Sequence, residues 1–387
     1  MAITTVACVI EHLGIGGEEK IVLDLLPALR DYGIRPCVIT FMPGKQDQKL
    51  REKGVKLITL SVKPDILRIP ALTAIFKKLR PDIVHTRLFS AGLWGRVGAH
   101  LAGVPSVIHT HGGFTFREKR LKRLPIERLF ATLTDASICV SNAVKNHLIV
   151  DGKLIKKNLV VIPNGISVSR FLRTPPRVPQ TPCRLITVGR LEHVKGQDLM
   201  IRALAVGSGY FKELWLVGDG ADSESLHQLS SDLGVNHKVR FLGTRDDIPG
   251  LLAQADVYVA PSRSEGLPVA VLEAMASGLP VVATDIEGNR EVLEGVGWLA
   301  EKENPFSLTQ SIIAALQNPG RAKKMAIAGR DRVVNKYSLE RMVRDHVSIY
   351  KSCLGGCPRM DSYRDRAKVL RARRQGQNGR RRSSSLR

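Results

Sequence analysis

The segment Ser264–Glu291 has the sequence SEGLPVAVLEAMASGLPVVATDIEGNRE, and it determines how the rest of the chain is interpreted. Pro268 suits the first turn of a helix, where its missing N–H costs no hydrogen bond. The apolar residues after it predict a short helix that ends at Gly278, and PVVAT then predicts a buried strand. The segment therefore indicates an α/β architecture.

Two carboxylates, Glu265 and Glu273, flank the predicted start of this helix. A helix N-terminus favours an anion such as a diphosphate, because it offers free N–H groups and the positive end of the helix dipole. Carboxylates cannot attract phosphate there, but they can accept hydrogen bonds from hydroxyl groups. A nucleotide sugar combines a diphosphate with a ribose and a hexose, so the segment predicts a nucleotide-sugar site.

Length and composition limit which class of protein this chain can be. The chain has 387 residues with 43% hydrophobic and 25% charged residues, which fits two folded domains of roughly 150–200 residues each. Six scattered cysteines are typical of a reducing cytosol and offer no four-ligand zinc motif. No secretory signal and no apolar stretch of roughly 18 residues is visible. We expect a cytoplasmic protein, soluble or peripheral to a membrane.

The net charge of +23 indicates an anionic partner or a location beside an anionic surface. From Cys357 onward, eleven Lys or Arg and two Asp give a net charge of +9, and 116–130 interleaves basic and apolar residues. Both segments predict contact with the anionic cytoplasmic face of the inner (plasma) membrane. A solvated helix face explains 116–130 equally well. Nucleic-acid binding is a third alternative, which is not expected because few aromatic residues are interleaved.

Strand-like and helical runs alternate along most of the chain, which predicts parallel sheets covered on both faces. The predicted fold class is α/β with two doubly wound, Rossmann-like domains that face each other across a cleft, since ligands of such sheets bind beyond the carboxyl ends of the strands. The predicted organisation is a domain over 1–168, a proline-rich linker over 169–183, a domain over 184–337, a helix over 338–354 and a basic, disordered tail over 355–387.

Two cations follow the strand that ends at Val188. Arg190 and Lys195, in VGRLEHVKG, suit a diphosphate, because guanidinium offers a planar fork and ammonium a point charge. Fixed cations would also stabilise the negative charge that develops as the bond to the diphosphate breaks. A solvated, structural role for both residues is the alternative.

The first half of the chain provides weaker evidence for a ligand site. The loop Gly14-Ile15-Gly16-Gly17 lies between a strand and a helix, but Glu19 stands where a dinucleotide fingerprint needs a third glycine. A plain tight turn is the alternative, and a nicotinamide oxidoreductase is disfavoured. His111 ends a predicted strand and could touch a transferred sugar, whereas His109 is predicted to be packed.

Five motifs, SEGLPVAVLEAMASGLPVVAT, VGRLEHVKG, VIPNGI, VGDG and RFLG, together resemble the retaining glycosyltransferases of family 4, which have the GT-B fold. The resemblance extends to about Tyr350. It implies transfer of a hexose from a nucleotide-diphosphate sugar of the UDP or GDP type, with retention at the anomeric carbon and without an essential metal or other cofactor. It also implies that the helix over 338–354 crosses back to the N-terminal domain.

The resemblance assigns roles to individual residues. Glu265 would hold hydroxyls of the donor sugar, Glu273 the ribose, and Arg190 with Lys195 the diphosphate. His111 would contact the sugar, and Arg87, which replaces a histidine found in many members, hints at an acidic or phosphate-bearing acceptor. Backbone groups would approach the donor at Gly266, Leu267 and Val269, the donor or acceptor at Gly16 and Gly17, and the base at 241–244.

The preferred hypothesis is therefore a hexosyltransferase with a lipid-linked or saccharide acceptor, acting in cell-surface polysaccharide or lipopolysaccharide biosynthesis. A sugar-nucleotide epimerase of the same fold is the alternative, and it would need no acceptor.

Overall fold

The computed structural model describes residues 4–113, 117–154, 159–172, 175–176 and 178–355, with the backbone alone at 117–123. The predicted basic tail from Cys357 lies outside the described residues, as do the side chains of 116–123. Within the described part of the chain, no helix combines the length and the hydropathy needed to cross a membrane.

The N-terminal domain is built on a seven-stranded parallel sheet with the strand order β3-β2-β1-β4-β5-β6-β7. Its central strands β4 and β5 are buried along their whole length, because helices cover both faces and leave no side for solvent. Val6 to Val9 of β1 likewise have no exposed surface. The strands are β1 (Thr4–Val9), β2 (Ile34–Thr40), β3 (Lys56–Thr59), β4 (Ile83–Arg87), β5 (Ser106–His111), β6 (Ala136–Cys139) and β7 (Leu159–Val161).

Helices connect these strands in the crossover pattern that parallel pairing requires. They are α1 (Gly17–Ala28), α2 (Asp47–Glu52), α3 (Arg68–Leu79), α4 (Phe89–Leu101), α5 (Arg117–Phe130) and α6 (Asn142–Val150).

The C-terminal domain repeats the plan with a six-stranded sheet in the order β10-β9-β8-β11-β12-β13. Each sheet reverses its direction of growth beside its first strand, which opens a crevice at the carboxyl ends of the strands. The strands are β8 (Cys183–Val188), β9 (Phe211–Val217), β10 (Val239–Phe241), β11 (Val257–Ala260), β12 (Val281–Thr284) and β13 (Trp298–Ala300). The helices are α7 (Gln197–Val206), α8 (Ser223–Asp232), α9 (Ile248–Leu252), α10 (Val269–Ala276), α11 (Glu287–Leu293), α12 (Pro305–Gln317), α13 (Pro319–Lys336) and α14 (Leu339–Leu354). The two sheets and their helices are the GT-B arrangement that the sequence predicts.

The last helix, α14, packs against α1 of the N-terminal domain. Its hydroxyl at Tyr350 lies 2.7 Å from Nδ1 of the buried His85 on β4. The amide of Leu339 donates to the carbonyl of Ile166 at 2.8 Å. Ile166 lies just before the point at which the chain leaves the N-terminal domain. The chain therefore crosses between the two domains twice.

Candidate active site

A cleft of about 1880 Å³ lies between the carboxyl ends of the two sheets. The N-terminal domain contributes the glycine loop after β1 and the end of β5. The C-terminal domain contributes the loops after β8 and β11 and the first turns of α10. Ten of the site residues predicted from the sequence line this one cleft: Gly16, Gly17, His111, Arg190, Lys195, Glu265, Gly266, Leu267, Val269 and Glu273.

Glu265 is held by a chain of hydrogen bonds within the C-terminal domain. Its Oε1 accepts from Nζ of Lys195 at 2.6 Å and from Oγ of Ser262 at 2.8 Å. The hydroxyl of Thr284 donates to the carbonyl of Ser262, and the side-chain amide of Asn289 donates to the carbonyl of Thr284 at 2.9 Å. Ser262, Thr284 and Asn289 are all buried. Because buried polar groups with partners keep a fixed geometry, the position of Glu265 is determined before any ligand arrives.

The two predicted cations differ in their surroundings. The side chain of Lys195 is 25% exposed and pairs with Glu265, whereas that of Arg190 is 53% exposed and lies 2.9 Å from Glu192. Charges in less hydrated surroundings interact more strongly. Lys195 therefore lies in the less hydrated part of the cleft, whereas Arg190 is the more exposed of the two cations.

Glycines allow the two domains to approach closely beside α10. A Cβ atom on Gly266 would lie 2.6 Å from the carbonyl oxygen of Gly112, and one on Gly17 would lie 3.3 Å from the side chain of Val269.

Helix α10 begins at Val269, so Pro268 precedes the helix and does not stand in its first turn as the sequence predicted. The carbonyl of Pro268 accepts hydrogen bonds from the amides of Val271 at 3.1 Å and Leu272 at 3.2 Å.

Glu273 is 3% exposed and forms an ion pair with Lys20 of α1, in the opposite domain. Burial, and then the nearby Arg170, lower the pKa of Lys20 to about 8. Lys20 and Arg170 both line the cleft, although the sequence motifs predicted neither as a site residue. The available signal for Lys20 was its spacing: it lies three residues after Gly17, on the same face of the helix that begins there.

His111 is buried at the end of β5 with its Nε2 unpaired among the described residues. Its ring meets that of His109 edge to face, with 4.4 Å between the centroids. Burial, followed by the charge of Arg96, lowers the pKa of His111 to about 3. Through Nε2, the neutral ring can form one hydrogen bond with a ligand in the cleft. His109 is packed as predicted, with Nδ1 2.8 Å from the hydroxyl of Thr86.

His109, His111 and Glu127 place three atoms of metal-ligating types within 4.8 Å of one another. The carboxylate of Glu127, however, already accepts two hydrogen bonds from Arg96, at 2.9 and 3.0 Å. The guanidinium therefore supplies the positive charge beside this carboxylate, and a metal ion would have to displace it.

Arg87 is 1% exposed and donates from Nε to Glu18 at 2.5 Å. The suggestion that it contacts an acidic or phosphate-bearing acceptor is wrong, because its side chain is enclosed and its charge is balanced by Glu18. Sequence position alone does not reveal this, since Glu18 and Arg87 come from different elements of the domain.

Two family models match the chain side by side. "Glycosyltransferase Family 4" matches residues 15–170, and "Glycosyl transferases group 1" matches residues 169–332. The chain is 29% identical over 316 residues to the UDP-Gal:alpha-D-GlcNAc-diphosphoundecaprenol alpha-1,3-galactosyltransferase of Escherichia coli, covering 75% of this chain and 80% of that protein. It is 25% identical over 350 residues to the lipopolysaccharide core biosynthesis glycosyltransferase LpsE of Rhizobium meliloti, covering 87% and 96%.

Solved structures share the fold. The Anabaena protein HepE, in complex with UDP and glucose, superposes with a TM-score of 0.81 at 21% sequence identity, covering 90% of this chain and 100% of that one. The lipopolysaccharide outer core galactosyltransferase WaaB superposes with a TM-score of 0.69 at 20% identity, covering 90% and 100%. With both halves of the chain matched in sequence and the two-domain architecture in common, this protein belongs to the family 4 glycosyltransferases (glycosyl transferases group 1) of GT-B fold.

Proposed function

We propose that this glycosyltransferase moves a hexosyl group from a nucleotide-diphosphate sugar, of the UDP or GDP type, to a lipid-linked or polysaccharide acceptor with retention of anomeric configuration. The observation that carries the proposal is the buried Nε2 of His111, which has no hydrogen-bond partner in the part of the chain that the structure describes, in the same cleft as the Lys195–Glu265 pair. A neutral hydrogen-bonding group on one wall and a carboxylate with a cation on the other suit a sugar joined to a diphosphate.

Each part of the donor has a proposed partner. The hexose hydroxyls bind Glu265 and His111, the ribose hydroxyls bind Glu273, and the diphosphate binds Lys195 and Arg190. The start of α10 supplies further donors to the diphosphate, because its first N–H groups have no partner within the helix. These donors include the amide of Val269, the first residue of α10. The amides of Gly266 and Leu267, in the loop before the helix, add to them, while Gly16 and Gly17 approach from the opposite domain.

The chemical step breaks the bond between the anomeric carbon and the diphosphate oxygen. Negative charge then accumulates on the diphosphate, where Lys195 and Arg190 stabilise it. Retention requires the acceptor oxygen to bond to the anomeric carbon on the face that the diphosphate leaves. The neighbouring domain, which meets α10 at Gly112, limits the access of water that would otherwise hydrolyse the donor.

We further propose that the acceptor belongs to cell-surface polysaccharide or lipopolysaccharide biosynthesis and that the protein works at the cytoplasmic face of the inner membrane. The relatives from Escherichia coli and Rhizobium meliloti, named for a diphosphoundecaprenol-linked acceptor and for lipopolysaccharide core biosynthesis, support this pathway. The net charge of +23 and the 63% exposed Leu129 beside Arg128 support contact with an anionic surface through 116–130 and 357–387. Deleting 357–387 is expected to weaken pelleting with vesicles that contain anionic lipid, and unchanged pelleting would contradict this attachment.

The function is tested by thermal shift against UDP-glucose, UDP-galactose, UDP-N-acetylglucosamine and GDP-mannose, followed by mass spectrometry of the products with and without a lipid-linked acceptor. Release of the nucleoside diphosphate with a glycosylated acceptor supports the proposal, and Glu265→Gln is expected to abolish it. Conversion of the donor into another sugar nucleotide without an acceptor would identify an epimerase instead.

A further inference from the structure

We infer that Lys20, in the N-terminal domain, is a positioning residue for nucleotide binding in the C-terminal domain. It holds the carboxylate of Glu273 charged and oriented, so that this carboxylate can accept hydrogen bonds from the ribose hydroxyls. The inference rests on the proposed function, because the ribose contact of Glu273 is part of that proposal.

The burial of Glu273 creates the need for such a residue. Its side chain is only 5% exposed, and an ionised carboxylate in such surroundings is unstable unless an opposite charge compensates it. The compensating charge comes from Lys20, whose Nζ pairs with Oε1 of Glu273. Without Lys20 the carboxyl group would tend to take up a proton and lose part of its capacity to accept hydrogen bonds.

Neighbouring groups fix the direction of the Lys20 side chain. Its ammonium lies 5.5 Å from the centroid of the Phe171 ring, within the range of a cation–π contact. Gly17, one turn earlier, lets the start of α1 approach Val269 at the start of α10. Lys20 therefore reaches Glu273 from a backbone position that the contact between the domains sets. We infer that Oε1 stays with Lys20 and that Oε2 serves the ribose.

A second lysine–carboxylate pair between the domains provides a matched control. Lys49 of α2 lies 2.6 Å from Asp246, before α9, but the two side chains are 50% and 85% exposed. Exposed pairs contribute little, because water already solvates both charges. Lys49→Met therefore removes an interdomain lysine without removing a buried one.

The experiment measures, by calorimetry, the affinity of the full chain for UDP and GDP, and for the 2′-deoxy form of whichever nucleotide binds. The variants are Lys20→Met, Lys20→Arg, Glu273→Gln, the double variant of Lys20→Met with Glu273→Gln, and Lys49→Met. Thermal unfolding of each variant verifies that it is folded.

The wild type is expected to prefer the ribonucleotide over its 2′-deoxy form. Lys20→Met should lower ribonucleotide affinity by about tenfold or more and remove most of this preference, while Lys20→Arg should keep it. Lys49→Met should change affinity by less than about twofold, since its pair is exposed. The double variant should bind no more weakly than Glu273→Gln alone, because Lys20 acts through Glu273.

Three results would overturn the inference. One is a Lys20→Met variant that keeps the preference for the ribonucleotide, and another is a double variant in which the two losses add. In either case the proposed function still stands. A wild type that binds neither nucleotide would overturn the proposed function itself, and this inference with it.

Discussion

The ammonium group of Lys195 lies 2.6 Å from Oε1 of Glu265, so the proposed diphosphate cation and the proposed sugar carboxylate form a single ion pair. Lys195→Ala is expected to lower kcat by about 100-fold, because charge on the departing diphosphate would lose its closest stabilising cation. Initial rates with a saturating donor measure this effect. Lys212→Ala, which changes an exposed lysine of β9, should leave kcat unchanged. Near-normal turnover of Lys195→Ala would remove its assignment to the diphosphate.

Ser262, in the loop after β11, donates its hydroxyl to the carboxylate of Glu265 at 2.8 Å. Ser262→Ala should lower kcat/KM by about tenfold, which corresponds to the loss of one hydrogen bond to a charged group. Ser262→Thr, which keeps the hydroxyl, is expected to retain more activity. Ser264→Ala alters the same loop two residues away and serves as the control. Equal effects of Ser262→Ala and Ser264→Ala would contradict a specific role for the Ser262 hydroxyl.

Gly266 tests whether the close approach of the domains matters for catalysis. A Cβ atom there would lie 2.6 Å from the carbonyl oxygen of Gly112 and 2.7 Å from Cα of Gly113, both in the other domain. Gly266→Ala should therefore push the domains apart, reduce turnover and increase the radius of gyration measured by small-angle X-ray scattering. Gly250→Ala is the matched control, because no atom lies within 4 Å of the added Cβ position. An unchanged radius of gyration with full turnover would contradict this prediction.

Nucleotide affinity should fall as the pH rises above about 8. Burial and the charge of Arg170 lower the pKa of Lys20 to about 8, while Asp24 on the same helix opposes the shift. Between pH 7 and 9, Lys20 therefore loses its proton and with it the charge that compensates Glu273. An arginine stays charged over the same pH range. Titration of UDP or GDP binding between pH 7 and 9 measures the fall. Lys20→Arg should bind with a nearly constant affinity, and a wild type equally insensitive to pH would contradict the prediction.

Stability should decrease as the pH falls below 6.5. Four buried histidines have pKa values lowered mainly by burial, so the unfolded chain binds their protons at a higher pH than the folded one. Each contributes stability that is present above the unfolded pKa of 6.5 and is lost as the pH falls. The four are His85, His109, His111 and His346.

Urea unfolding at pH 7 and pH 5.5 measures this loss, which should be about 1 kcal/mol for each histidine. A His346→Leu variant should lose less stability than the wild type between the two pH values. The same free energy of unfolding at both pH values would exclude this contribution.

The sequence by itself determined the α/β class, the order of the elements around α10 and several of the residues that line the cleft. These features follow from local patterns: the spacing of apolar residues sets helices and strands, and parallel strands place their following loops at one edge of the sheet. Residues at the end of a strand or in the loop after it, such as His111, Arg190 and Glu265, could therefore be predicted to lie at one site without coordinates.

Only the tertiary structure decided which of these residues touch. Lys20 and Glu273 are 253 positions apart, and their ion pair exists because two separate domains meet at α1 and α10. The burial of Arg87 against Glu18 is decided in the same way, by the position of the end of β4 beside the first turn of α1. Local sequence patterns carry no information on the distance between such groups, whereas the charge balance of a buried site depends on that distance directly.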